Sequence, residues 1–210
     1  MKAHAEITRS LNENCKLPPM KNCAQMKSRE EVVALFRDKY AHLKTVYPTV
    51  GPFEEICLYQ NPDGGWQMNF ENCAAITLRY GDNEPYETHG AICARWYEEG
   101  GAYNEQGKPG RLGYPISDEM FLVQKGNNFA RVSNFKRRGI ANESIVWTAQ
   151  TNRTDIISPP NVYGCSICRT MFGVIPFWNT MEEPSPAYII QCPKCNKPIN
   201  LYWTYPGEFG

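Results

Sequence analysis

The stretch Gly110-Arg111-Leu112-Gly113-Tyr114-Pro115-Ile116-Ser117-Asp118-Glu119 decides how the middle of this 210-residue chain is read. Gly113 permits a tight backbone path beside an aromatic ring, and Pro115 fixes the next φ angle. Asp118 and Glu119 are placed to accept backbone N–H bonds at the start of the following strand or turn. Nothing in these ten residues activates water, a nucleophile or a phosphate, so the stretch reads as scaffold. Around it, short β-like runs alternate with glycine turns: 56–59, 75–80, 120–124, 129–132 and 144–148. A helical segment interrupts them at 90–99, where Ile92, Trp96 and Tyr97 share a face. Upstream, Ser28-Arg29-Glu30-Glu31 has the form of a capping box. Val32, Leu35, Phe36, Tyr40 and Leu43 recur behind it at helical spacing, predicting an amphipathic helix over 29–45 that Tyr47-Pro48 and Gly51-Pro52 end.

The β-like runs carry an internal echo. Leu58-Tyr59-Gln60 is followed by Asn69-Phe70 and then Ala75-Ile76-Thr77-Leu78; Leu122-Val123-Gln124 is followed by Asn134-Phe135 and then Ser144-Ile145-Val146-Trp147-Thr148. The ten-residue stretch itself resembles the signature of the LGFP repeat family, a Leu-Gly-aromatic-Pro core followed by a small polar residue, Asp and Glu. His89-Gly90-Ala91-Ile92 through Arg95-Trp96 to Gly100-Gly101 resembles the opening of such a repeat. Phe135 and 144–148 resemble its close. The resemblance covers about 89–157, with 56–88 as a degenerate partial copy. Insertions at 104–108 and near 138–143 depart from the family's pattern. What the resemblance implies is a β repeat architecture and modular, non-catalytic binding, often at bacterial cell envelopes.

Two Cys-x-x-Cys pairs close the chain, Cys165-Ser-Ile-Cys168 and Cys192-Pro-Lys-Cys195, with 23 residues between them. That is the layout of a zinc ribbon, in which four thiolates satisfy one tetrahedral Zn2+ and leave no position for water. The expected fold class is therefore mainly β with minor α. It comprises a flexible lead-in (1–27), a helix with an LGFP-like β-rich domain (28–157), and a zinc ribbon (158–210) that begins at Ser158-Pro159-Pro160.

Composition narrows the function. Apolar content of 42% with 12% aromatics supplies a core, which excludes a disordered chain. Twenty-two acids balance 22 bases, so no overall field recruits nucleic acid or an anionic membrane. No window approaches a membrane span and the first residues lack an apolar signal-peptide core, so a cytoplasmic location is expected. Nine cysteines, four in metal spacing, fit a reducing compartment; Cys15, Cys23, Cys57, Cys73 and Cys93 read as idle or buried thiols. The candidate contact residues for a protein or glycan are the aromatics Trp96, Tyr114 and Trp147 and the basic cluster Arg131, Lys136, Arg137 and Arg138. Two alternatives stand beside this reading. Cys73 precedes an apolar run, as in papain-like amidases, and His89 is its nearest imidazole, so a thiol hydrolase would use that pair. The other is a phage or toxin accessory factor that binds a host protein.

Overall fold

A computed structural model describes residues 27–123, 129–174 and 188–201. Helix α1 spans Arg29–Val46, one residue longer than its sequence pattern predicts. The capping box forms in both directions: the Ser28 hydroxyl accepts the Glu31 N–H at 3.2 Å, and the Glu31 carboxylate accepts the Ser28 N–H at 2.7 Å. The helix buries Val32, Phe36 and Leu43 against a four-stranded antiparallel sheet. The strands are β1 (Leu58–Gln60), β2 (Trp66–Phe70), β3 (Ala74–Leu78) and β4 (Tyr86–His89), paired in chain order. Alternation along β3 then divides the labour. Ala74, Ile76 and Leu78 pack under α1 with Leu58 and Met68, while Ala75 turns into a second core on the opposite face.

The second half repeats the plan. Helix α2 (Gly90–Glu98) leads through β5 (Tyr114–Pro115) to β6 (Met120–Val123), β7 (Phe129–Lys136), β8 (Glu143–Thr148) and β9 (Arg153–Ile157). Strands β6 to β9 also pair antiparallel in chain order, and β5 pairs with β7. Trp96, Ile92 and Cys93 of α2 pack against Ala75, Leu112, Tyr114, Phe135 and Ile145. Each unit is thus a helix followed by a four-stranded meander. The segments that echo one another in sequence occupy corresponding strands: Asn69-Phe70 lies in β2 and Asn134-Phe135 in β7, with the following apolar runs in β3 and β8.

The chain is mainly β, with two α-helices among the described residues. Strand content exceeds what the apolar pattern predicts. Residues 55–57 form a 3-10 turn, so the first strand begins only at Leu58, and β7 runs four residues past its expected end. The apolar pattern does not mark β2, β4 and β9, because Gln67, Asn69, Glu87, Thr88, His89, Arg153 and Asp155 break it, nor β5, which is only two residues long. In β2 and β4, Gln67, Glu87, Thr88 and His89 are nonetheless buried, so tertiary burial of polar groups overrides propensity.

Hairpin β10 (Asn161–Gly164) and β11 (Met171–Val174) extends the second sheet, because β11 pairs parallel with β6, Phe172 opposite Phe121 and Val174 opposite Val123. The sheet order is β10-β11-β6-β7-β8-β9, and it continues across Ser158-Pro159-Pro160. Strands β12 (Tyr188–Gln191) and β13 (Pro198–Leu201) form a separate hairpin. Residues 1–26 of the expected lead-in (1–27) lie outside the described residues, with Cys15 and Cys23. So do Gln124 and most of the aromatics near the C-terminus.

Gly113 has the role its position suggests. Its φ is +71°, and a Cβ there would come within 2.5 Å of the Lys136 carbonyl oxygen. Its own carbonyl accepts the Trp96 indole N–H at 2.8 Å. Gly113→Ala therefore meets both a left-handed backbone and a blocked approach to β7. It should destabilise the fold by more than about 1 kcal/mol, read as a drop in denaturation midpoint.

Candidate metal centre and seam groove

The first Cys-x-x-Cys pair occupies the turn between β10 and β11, the second the turn between β12 and β13, and both turns are built alike. Arg169 N–H donates to the Cys165 carbonyl at 2.8 Å and Asn196 N–H to the Cys192 carbonyl at 2.9 Å. Cys165 N–H and Cys192 N–H donate onward to the carbonyls of Thr170 and Lys197, each at 2.9 Å. Arg169 and Asn196 take left-handed φ values of +58° and +57°, which reverses the chain immediately after each second cysteine. The four sulfurs consequently lie within 4.8 Å of one another. Across the two turns, Cys165 Sγ is 3.7 Å from Cys195 Sγ, and Cys168 Sγ is 3.6 Å from Cys192 Sγ. A disulfide would require about 2.05 Å, so all four are free thiols.

The surroundings favour the thiolate at the first pair, whereas at Cys195 the Lys197 backbone N–H is outweighed by burial and the neighbouring sulfurs, which push that thiol up to about 11. Hydrogen bonds from the Thr170 hydroxyl and backbone bring the Cys168 thiol down to about 6. Backbone N–H groups of Cys168 and Ile167 lower Cys165. Phe121, Val123, Phe172, Val174 and Ile199 pack around the cluster, so it shares its core with β6. The group can hold one metal ion, and an all-sulfur donor set selects a soft or borderline one. Purified protein should carry about one metal ion per chain. Cys168→Ser and Cys195→Ser should each abolish retention and lower the denaturation temperature. Because protons compete with metal for thiolate, ion release to a chromogenic chelator should increase as pH falls.

A second charged cluster joins the two units. Glu87 and His89 leave β4 side by side, and the His89 Nδ1 lies 2.7 Å from Glu87 Oε2. His89 Nε2 faces Glu119 Oε2 at 3.5 Å, and Glu119 Oε1 accepts from Arg131 Nε at 3.0 Å. Glu119 N–H donates to Glu87 Oε1 at 3.3 Å, and Glu87 N–H donates to Asp118 at 3.0 Å. Asp118 also pairs with Lys39 of α1 at 2.7 Å. Asp118 thus accepts a backbone N–H as expected, but from β4 of the other unit; Glu119 accepts from side chains instead.

These contacts commit the imidazole of the Cys73–His89 pair to carboxylates. Both ring nitrogens of His89 face carboxylates, and the ring packs on Tyr47 with centroids 4.8 Å apart. Cys73 sits exposed in the β2–β3 turn at φ +52°, and its backbone carbonyl accepts the Gly90 N–H at 2.8 Å. Cys57 is likewise exposed, and Cys93 is buried.

The candidate contact residues divide. Trp96 and Tyr114 are core, not surface: Trp96 is fully buried and Tyr114 is 3% exposed, its hydroxyl donating to Asp63 at 2.7 Å. Each ring closes the second hydrophobic core, so neither is available to a ligand. Arg131 is committed to Glu119 and lies over the Phe121 ring at 4.4 Å. Trp147 is half-buried, with its indole N–H on Asn152 at 3.1 Å. Lys136 and Arg138 are exposed and Arg137 half-buried. Lys136 borders a groove of about 410 Å³ that the sequence did not announce. The loop between β3 and β4 supplies Arg79, Asp82, Asn83 and Glu84, β4 supplies Tyr86, and Ile116 comes from the second unit. Asp82 pins Arg79 with two hydrogen bonds, at 3.0 and 2.7 Å.

The chain matches no protein-family model, no curated protein and no solved structure. No described helix is long and apolar enough to cross a membrane.

The charged cluster gives a pH signature. Burial alone would strip the His89 proton, but the Glu87 hydrogen bond and the charges of Glu119 and Glu87 outweigh it and hold the imidazole protonated above its usual range. A raised folded value contributes stability that is complete below about pH 6.5 and is lost as pH climbs through the folded value. Urea denaturation should therefore show the stability gap between wild type and His89→Gln at its widest near pH 6, narrowing toward pH 9.

Proposed function

We propose that this chain is a non-catalytic recognition module of LGFP-like repeats that holds a protein or glycan ligand in the groove between its two units. The observation that carries the reading is the composition of that groove. One wall comes from the first unit and the other, through Ile116 and Lys136, from the second. A half-buried Tyr86 ring lies among amide and charged groups, a mixture suited to oriented polar ligands. Its charges nearly cancel, Arg79 with Asp82 and Lys136 against Glu84, so a polyanion such as nucleic acid finds no positive face. Residues 110–119 support the repeat reading because they pack against β7 and bond across to β4.

The metal is structural Zn2+. Bonds of about 2.3 Å to a tetrahedral zinc place the sulfurs about 3.8 Å apart, close to the observed 3.6 and 3.7 Å. Four sulfurs fill the coordination shell and leave no open position for catalysis. The free thiols at the centre and at Cys57, Cys73 and Cys93 suit a reducing compartment such as the cytosol.

Affinity capture from lysate, with bound protein and carbohydrate both identified, supplies the ligand. Against it, Lys136→Glu and Tyr86→Ala should each weaken binding about tenfold at unchanged melting temperature. Full binding by both variants would remove the groove from the reading. Hydrolysis of the ligand, lost in Cys73→Ala, would overturn the non-catalytic assignment.

A further inference from the structure

At the β1 edge of the first sheet, away from the groove residues, a second polar array is organised around Asn69. The Tyr97 hydroxyl donates to Asn69 Oδ1 at 2.7 Å, and Gln67 Nε2 donates to the same oxygen at 2.7 Å. Asn69 Nδ2 donates to the Tyr59 hydroxyl at 3.1 Å. Two tyrosines from different elements, β1 and α2, therefore hold opposite ends of one amide. Each tyrosine residue remains 36% exposed, and Asn69 is itself exposed. Gln67 lies behind them, 2% exposed, with Oε1 unpartnered.

The unused hydrogen-bonding capacity is specific. Tyr59 accepts from Asn69, so its own O–H proton is free to donate. Tyr97 spends its proton on Asn69, so its oxygen is free to accept. Asn69 Nδ2 has a second N–H. A donor, an acceptor and an amide N–H thus remain unspent on exposed residues whose side chains the hydrogen bonds already orient, which reduces the ordering cost of binding. No ionised side chain takes part in the array. Burial raises both phenols, Tyr59 to about 12 despite the Asn69 hydrogen bond, so the array is neutral across the physiological range.

We propose that Tyr59, Asn69 and Tyr97 form a binding site for a neutral saccharide ring. Sugar hydroxyls both donate and accept, matching the mixed array, and the C–H faces of a pyranose pack against aromatic rings. This goes beyond the recognition reading above: it is a second site, separate from the groove, with a ligand class of its own.

The test is native electrophoresis of the full chain through gels containing laminarin, soluble starch, hydroxyethyl cellulose, glucomannan or glycol chitin. At least one polysaccharide should retard the wild type. Tyr59→Ala and Tyr97→Ala should weaken that retardation about tenfold. Tyr59→Phe and Tyr97→Phe, which keep the rings and their packing, should weaken it by a factor of about three, the share of one hydrogen bond. Lys136→Glu should migrate as wild type does. The site is refuted if no gel retards the protein, or if all four tyrosine variants remain retarded like the wild type. Retardation lost only in Lys136→Glu would place the sugar in the groove, leaving the recognition reading intact while removing this site. A captured protein ligand with no polysaccharide retardation would have the same consequence.

Discussion

The arrangement of the two units depends on a buried exchange of charge. Glu87 sits at 1% exposure and cannot be left alone there, because an isolated carboxylate in that environment is strongly unfavourable. Its acceptor capacity is met by the His89 ring and the Glu119 N–H, and its backbone N–H is met by Asp118. With His89 protonated, two carboxylates oppose two cations, His89 and Arg131, and the cluster is neutral. Such a network adds little net stability over an apolar seam, but removing one member strands the rest at a cost of about 3–5 kcal/mol. Its effect is specificity of arrangement: the first sheet can meet the second only where these groups coincide. The groove, which draws on both units, inherits its shape from that coincidence.

The metal centre is bound to the same framework through a single strand. β11 carries the far side of the first cysteine turn, and it pairs parallel with β6. Gly173 permits this approach, since a Cβ there would lie 2.8 Å from Pro160 Cγ and 3.1 Å from Leu122. Phe121 of β6 packs on the cysteine cluster on one side and under the Arg131 guanidinium on the other. Arg131 in turn holds Glu119. The cysteine cluster therefore has a continuous packed and hydrogen-bonded connection to the seam, running cluster, Phe121, Arg131, Glu119, His89. The β10–β11 hairpin is an extension of the second sheet rather than an appended bead.

What was legible in the sequence was local. The capping box, the helix behind it, the spacing of the cysteines and the demand for glycine at 113 each follow from residues a few positions apart, and each is present. What was not legible depends on contacts between distant segments. Trp96 and Tyr114 looked like surface anchors because aromatic identity carries no information on exposure; the second core claims both. β2 and β4 carry little apolar signal because Gln67, Glu87, Thr88 and His89 are buried through contacts with distant segments. The groove could not be anticipated, since Lys136 and Tyr86 are fifty residues apart and neither is unusual in its own neighbourhood. Cys73 and His89 illustrate the converse case. They are near in sequence and in backbone, yet strand alternation and two carboxylates take the imidazole elsewhere.

The stretch at 110–119 explains why one short segment can specify so much. Gly113 lets the chain press against β7, and the β5 pairing of Tyr114 with Lys136 and Pro115 with Phe135 fixes the register. Proline has no N–H to offer, but the ladder bonds fall on either side of it. Ile116 N–H donates to the Asn134 carbonyl at 2.8 Å, and the Ser117 hydroxyl accepts the Asn134 N–H at 3.0 Å. With the register set, Asp118 and Glu119 arrive opposite β4 and close the seam. A slip of one residue would turn Pro115 onto the bonding side of the ladder and carry both carboxylates away from Glu87 and His89. The backbone constraint at the glycine and the electrostatic constraint at the acids are therefore one constraint on register, expressed at the two ends of ten residues.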